Sequence, residues 1–171
     1  MSHKSPLQLF DIDPAPGLRY AATATAVSRN MARFYGNGRD WATPPEVFDP
    51  LHAEFGFTLD PCATPETAKC DRYYTEVEDG LKQSWMDEVV FMNPPYGREI
   101  RAWTDKARRE ARGGATVVGL LPASTDLDWW HDHVLAEDAE IRYLRGRPRF
   151  LAKGRKFGQM YAPSVIVVWR P

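Results

Sequence analysis

Apolar and polar positions follow no period over residues 1–38. Pro14, Pro16 and the Ala/Thr stretch at 21–27 read as an irregular N-terminal arm with room for one short helix. From residue 39 to 171 apolar runs alternate with amphipathic stretches, and this part reads as one folded domain. Val47, Leu51 and Phe55 recur every four residues and predict a helix ending at Gly56. Thr43 is the expected cap, Pro44 the first helical residue and Glu46 the partner in a capping box; Pro50 is expected to kink or restart the helix. Phe57-Thr58-Leu59 predicts a short strand ending at Asp60-Pro61, and Tyr73-Tyr74 a second one. Val89–Met92, apolar throughout, and Ala115–Leu121, apolar but for Thr116, predict buried strands, stopped by Asn93-Pro94-Pro95 and by Pro122. Ile100 to Arg112 predicts an exposed helix closed by Gly113-Gly114. Asp126 to Ala136 predicts another, capped by Ser124, Thr125 or Asp126. Two late strands, 141–144 and 164–169, are joined by a basic segment at 146–162.

Strands alternating with helices, then two strands in succession, predict an α/β sheet that is parallel at its centre and antiparallel near the C-terminus. In such sheets ligands bind beyond the carboxyl ends of the strands. Asp60-Pro61-Cys62, Asn93-Pro94-Pro95-Tyr96 and Pro122-Ala123-Ser124 are therefore expected to face one crevice.

Composition narrows the class without choosing it. The chain is 43% hydrophobic and 26% charged over 171 residues, an ordinary globular mixture. It has no run of eighteen apolar residues and no signal-peptide pattern, so a cytoplasmic location is expected and a membrane partner is not. Cys62 and Cys70 are too few for a disulfide framework or a zinc site, and His131 and His133 would not share a helix face, so no metal is expected. The net charge of -1 hides a segregation. From Ile141 to Pro171 there is no acid, while Arg142, Arg145, Arg147, Arg149, Lys153, Arg155, Lys156 and Arg170 all fall there, interleaved with Tyr143, Phe150, Phe157 and Tyr161. That pattern suits a polyanion such as nucleic acid better than a merely solvated face.

The chemistry concentrates at Asn93-Pro94-Pro95-Tyr96. Two prolines fix φ and remove two N–H donors, leaving carbonyls that compete with nothing. Asn93 adds a side-chain acceptor and Tyr96 a flat face. Such a group suits an amine on an aromatic ring, whose lone pair is delocalised. Acceptors bonded to its hydrogens favour a tetrahedral nitrogen and stabilise the charge that grows as it attacks a methyl group. A base inside a duplex reaches such a pocket only when flipped out. A proline pair that simply ends a strand is the plainer reading, and its position after a buried apolar run argues against that.

With these residues in place, the stretch from about Asp40 to Trp169 resembles the phage-type Dam family of DNA N-6-adenine methyltransferases. Asp40-Trp41-Ala42-Thr43-Pro44-Pro45-Glu46, Leu59-Asp60-Pro61-Cys62-Ala63, Glu78-Asp79-Gly80-Leu81 and Asn93-Pro94-Pro95-Tyr96 occur in the family's order, and Gly146–Phe150 and Ala162-Pro163-Ser164 resemble further family segments. The resemblance implies a Rossmann-like class I S-adenosylmethionine methyltransferase sheet without a separate target-recognition domain. It implies S-adenosylmethionine as cofactor and double-stranded DNA as partner, in a host bacterial cytoplasm if the gene is phage-borne. It assigns cofactor contacts to Trp41, Thr43, Pro44, Asp60, Cys62, Ala63, Asp79 and Leu81, with Asp60 near the cofactor's ammonium and Asp79 accepting from its adenine. Asn93, Pro94, Pro95 and Tyr96 would be catalytic. Arg145, Arg147, Arg149, Lys153, Arg155 and Lys156 would contact DNA. No glycine-rich loop follows the first strand, since Gly80 is the first glycine after Gly56, and Asp71 and Glu76 compete as the acid holding the ribose. The tetrapeptide also fits cytosine N4, an RNA adenine or a protein glutamine, and the missing loop leaves room for a binding module without a cofactor.

Overall fold

A computed structural model describes residues 41–152, 155–159 and 163–171. The expected arm at 1–38 and Lys153 lie outside the described residues. The elements in chain order are β1 (Trp41–Ala42), α1 (Pro45–Phe55), β2 (Leu59–Asp60), β3 (Arg72–Tyr73), β4 (Val89–Met92) and α2 (Ile100–Arg112). They continue with β5 (Thr116–Pro122), α3 (Asp128–Trp130), which runs into a π-helical turn at His131–Leu135, then β6 (Glu140–Tyr143), β7 (Arg149–Ala152), β8 (Arg155–Gln159) and β9 (Ser164–Trp169).

The main sheet has six strands in the order β3-β2-β4-β5-β9-β6. β3, β2, β4 and β5 run parallel, and β9 inserts antiparallel between β5 and β6. The long strands are apolar beyond their first residues, Thr116 and Ser164, because both faces are covered. Val90 and Met92 of β4, Val117 and Leu121 of β5, and Val165, Val167 and Trp169 of β9 face a core with α2 and α3. The alternate residues Phe91, Val118, Leu120, Ile166 and Val168 face a second core with Phe48 and Leu51 of α1 and Phe150 of β7.

Several elements depart from the sequence expectation. α1 begins one residue late. Pro44 is its cap and Pro45 its first residue, no side chain bonds to the cap, and Thr43 is buried ahead of it. With two prolines in succession, either could open the helix, and the second does. α1 runs through Pro50 to Phe55, neither restarting nor ending there, and closes on Gly56 at φ 67° as expected. α2 is not an exposed helix, because Ile100, Trp103, Thr104, Lys106, Ala107 and Ala111 are buried. The helix expected at 126–136 shrinks to three residues followed by the π turn, with Leu127 at its cap and no side-chain capping bond. There His133 is buried against Thr104 Oγ1 at 2.9 Å, and its carbonyl accepts from the Trp169 indole at 2.7 Å.

The basic segment is more than a connection. β7 and β8 form an antiparallel hairpin, and β1 adds to it antiparallel, Ala42 opposite Leu151. Strand pairing of this range has no local periodicity to announce it.

Candidate functional site

The parallel strands end on one edge, and Asp60 and Asn93 each sit at such an end. A cleft of about 560 Å³ opens there. Thr43, Asp60, Pro61, Cys62, Ala63, Asp79, Leu81, Asn93 and Pro95 line it together with Lys69, Glu76, Gly80 and Trp103. Of the residues expected at the cofactor, Thr43, Asp60, Cys62, Ala63, Asp79 and Leu81 thus come together. Trp41 lies on β1 and Pro44 is buried at the start of α1, on either side of Thr43. Of the expected catalytic residues, Asn93 and Pro95 line the cleft, Pro94 is buried, and Tyr96 is half-buried and not part of the lining. The third strand end, Pro122-Ala123-Ser124, does not line it, which corrects the expectation that all three ends share one crevice. Among the residues that describe the ribose side, Glu76 lines the cleft and Asp71 does not.

Asp60 holds the floor. Its carboxylate accepts from the Cys62 amide at 3.4 Å and the Lys69 amide at 3.2 Å, pinning both ends of the loop after β2. It is 4% exposed, and that burial raises its pKa to about 6 against the help of those two amides. Burial likewise pushes the Cys62 thiol well up and Cys70 up to about 12, which disfavours the thiolate at both.

The far wall is the turn at Asp79–Leu81. Asp79 takes φ 55°, a left-handed conformation that aspartate tolerates, and accepts from the Leu81 amide at 3.3 Å. Lys82 pairs with it at 2.9 Å and, by that hydrogen bond, holds its carboxyl below the usual range. Gly80 presses on Pro61 so closely that a Cβ would overlap the Pro61 carbonyl oxygen. This glycine therefore serves the contact between the loop after β2 and the Asp79–Leu81 turn, two segments that both line the cleft. The buried Trp85 indole donates to the Gly80 carbonyl at 3.0 Å. Trp85 in turn stacks on Trp103 with centroids 6.2 Å apart, and Lys106 lies 5.5 Å over its ring while pairing with Glu110 at 2.5 Å. Trp85 and Lys69 escape the sequence because they lie in a stretch without period, and Trp103 because its helix was expected to be exposed.

At the β4 end the Tyr96 hydroxyl lies 2.9 Å from the Leu120 carbonyl and 3.2 Å from Asn93 Oδ1. Asn93 is thus held by its own tetrapeptide.

The basic residues divide. Arg142 is tied to Glu54 at 2.6 Å and Glu140 at 2.5 Å, and Arg170 to Glu140 at 2.6 Å, so these two are spent on internal pairs despite the acid-free stretch around them. Arg145 and Arg147, on the approach to β7, and Arg149, its first residue, are exposed and have no ion pair among the described residues. Arg155 and Lys156 lie on β8. No group of His, Cys, Asp and Glu that could hold a metal occurs among the described residues, and no described helix is long and apolar enough to cross a membrane.

A mostly parallel sheet with an antiparallel insertion near its C-terminal end, and an Asn-Pro-Pro-Tyr turn at the cleft edge, define a methyltransferase fold. The profile of the DNA N-6-adenine-methyltransferase (Dam) family matches residues 35–171, and the chain belongs to that family: it is a DNA adenine methyltransferase. The DNA N-6-adenine-methyltransferase of Escherichia phage T1 is 32% identical over 91% of this chain and 76% of its own length. A shorter match, 35% identical over 34% of this chain and 72% of the relative, is to YfdM of Escherichia coli K12, whose name marks it as a provisional methyltransferase.

Proposed function

We propose that the chain transfers a methyl group from S-adenosylmethionine to the N6 amine of an adenine turned out of duplex DNA, with Asn93-Pro94-Pro95-Tyr96 as the catalytic group. One observation carries this reading: Asn93 and Pro95 share a single cleft with the buried Asp60 carboxylate. The residues fit the cofactor. Asp60 is a desolvated carboxylate at the cleft floor, and a ligand ammonium supplies the charge its burial lacks. The cleft volume suits a molecule of that size. Thr43, Cys62 and Ala63 would hold the methionine side, flanked by Trp41 and Pro44. Asp79 and Leu81 would meet the adenine, and Glu76 the ribose. Bound there, the cofactor supplies an electrophilic methyl on sulfonium sulfur.

The chain's residues act on the amine. Asn93 and the carbonyls of a backbone stripped of two N–H groups accept from its hydrogens, which favours a tetrahedral nitrogen. Holding the amine in line with the methyl is a positioning effect. The proton turns acidic only after transfer and leaves to water. The half-buried Tyr96 ring is the stacking wall for the extruded base. Purified protein should transfer labelled methyl from S-adenosylmethionine to duplex DNA, and mass spectrometry of the nucleosides should find N6-methyladenine. Absence of label in DNA under all salt and sequence conditions refutes the reading.

Cofactor affinity should follow the ionisation of Asp60. A cation stabilises the carboxylate, so affinity stays flat from about pH 6, where burial puts the Asp60 pKa, up to about pH 7.5, where the ligand ammonium begins to lose its own proton. It falls about tenfold per pH unit below about pH 6, as a proton must be displaced first. Titration calorimetry from pH 5 to 8 checks this, and in Asp60→Asn the slope should vanish along with most of the affinity.

DNA contact falls to Arg145, Arg147 and Arg149, with Arg155 and Lys156 on β8 and Lys153 as a further candidate by sequence. If the three exposed arginines meet phosphates, their combined replacement by alanine should lower the slope of log affinity against log salt by about 2–3. Cofactor affinity should not change. An unaltered salt slope in a filter-binding series removes these arginines from the interface.

A further inference from the structure

We propose that the Tyr96 hydroxyl is a positioning group that decides which end of the Asn93 amide faces the cleft. This rests on reading Asn93 as the acceptor for the substrate amine. The hydroxyl has one proton and two carbonyl oxygens near it, Leu120 O at 2.9 Å and Asn93 Oδ1 at 3.2 Å. β4 pairs with β5 only as far as Met92 opposite Gly119. Leu120 lies one residue beyond, is fully buried, and is faced by a chain whose next residues include two prolines with no N–H to give. A buried carbonyl needs a donor, and Tyr96 is the one supplied. The proton therefore belongs to Leu120.

That leaves the Tyr96 oxygen as an acceptor toward Asn93. Two oxygens facing each other repel, while the amide nitrogen in that place donates a hydrogen bond. An amide turned by 180° exchanges the two atoms within almost the same volume, and the surrounding network chooses between them. Here it chooses Nδ2 toward Tyr96, which turns Oδ1 to the other side of a residue that lines the cleft. The prolines thus leave a strand carbonyl open, the tyrosine closes it, and the spent hydroxyl presents the asparagine oxygen to an incoming amine.

Tyr96→Phe keeps the ring and removes the latch. Its kcat should fall about tenfold, the scale of one lost hydrogen bond, with KM for DNA and cofactor affinity within threefold. The decisive comparison uses Asn93→Asp, whose carboxylate shows an oxygen whichever way it turns. In that background Tyr96→Phe should change kcat less than threefold, whereas a merely structural loss at Leu120 would carry over in full. Equal losses in both backgrounds overturn the proposal. Should Asn93→Asp transfer no methyl, proton exchange of the Asn93 side-chain amide in ¹⁵N-labelled protein decides instead. One slowly exchanging Nδ2 proton in the wild type, lost in Tyr96→Phe, supports the latch, and two unprotected protons refute it. Wild-type protein that methylates no DNA refutes the proposed function, and the amide measurement still decides the latch.

Discussion

Asn93→Ala should lower methyl transfer to DNA by about 10²–10³-fold while the protein still folds and still binds its cofactor. The magnitude follows from the role. An amine conjugated to a ring is a poor nucleophile, and the acceptors at its hydrogens act mainly in the transition state, where charge has grown on nitrogen. Removing one preorganised group of that kind costs more in kcat than in binding. The fold should survive because the Asn93 side chain bonds within its own tetrapeptide, to Tyr96, and the prolines keep the backbone rigid. Asp60, Gly80 and Trp85, which shape the part of the cleft proposed to hold the cofactor, do not depend on it. Three measurements separate the terms: labelled transfer into DNA, calorimetric affinity for S-adenosylhomocysteine, and the thermal midpoint. A loss of tenfold or less, with the other two unchanged, would show that Asn93 is not the principal acceptor. A large loss accompanied by a collapsed midpoint would make it structural.

How much of this was legible in the sequence depends on what kind of signal each part carries. β4, α2 and β9 fall where the apolar pattern placed them, because an unbroken apolar run or a 3.6-residue period is local and Pro or Gly ends it. The stretch at 62–82, where only a strand at Tyr73-Tyr74 was expected, is organised by side chains rather than by periodicity. Asp60 bonds the amides of Cys62 and Lys69, Thr67 bonds the Thr64 amide at 2.9 Å, and Glu78 bonds the Thr75 amide at 2.8 Å. Bonds of this type leave no hydrophobic trace. The β7–β8 hairpin with β1 was hidden for a different reason, since β1 and β7 are far apart in sequence and the hairpin's basic residues mask its pattern. The motif at Asn93 was legible as chemistry, yet the tie from Tyr96 to Leu120 could not be, because it crosses to the next strand.

The close contact of Gly80 with Pro61 leads to the second large effect. Gly80→Ala should destabilise the protein by about 1–3 kcal/mol, the usual scale of overpacking, and weaken cofactor binding by at least about tenfold. An added methyl meets the Pro61 carbonyl oxygen, a backbone atom, so no side chain can swing aside. Neither partner is free to yield. Pro61 follows β2, whose Asp60 carbonyl takes the Tyr74 amide at 2.9 Å and whose carboxylate holds the loop behind it. Gly80 is buried, and its carbonyl is anchored by Trp85, itself packed against Trp103 and Lys106. The substitution must therefore push the Asp60–Ala63 wall away from the Asp79–Leu81 wall, and both line the cleft. Gly113→Ala is the contrast: the nearest atom to its Cβ is the Glu110 carbonyl oxygen at 3.3 Å, at an ordinary φ of -88° and outside the cleft lining. It should leave cofactor affinity within threefold. Thermal midpoints and calorimetric titration with S-adenosylhomocysteine compare the two. If Gly80→Ala matches Gly113→Ala in affinity, contact between these two turns does not set the cofactor site, and the chain would have to hold its ligand through the Thr43 and Asp60 side alone.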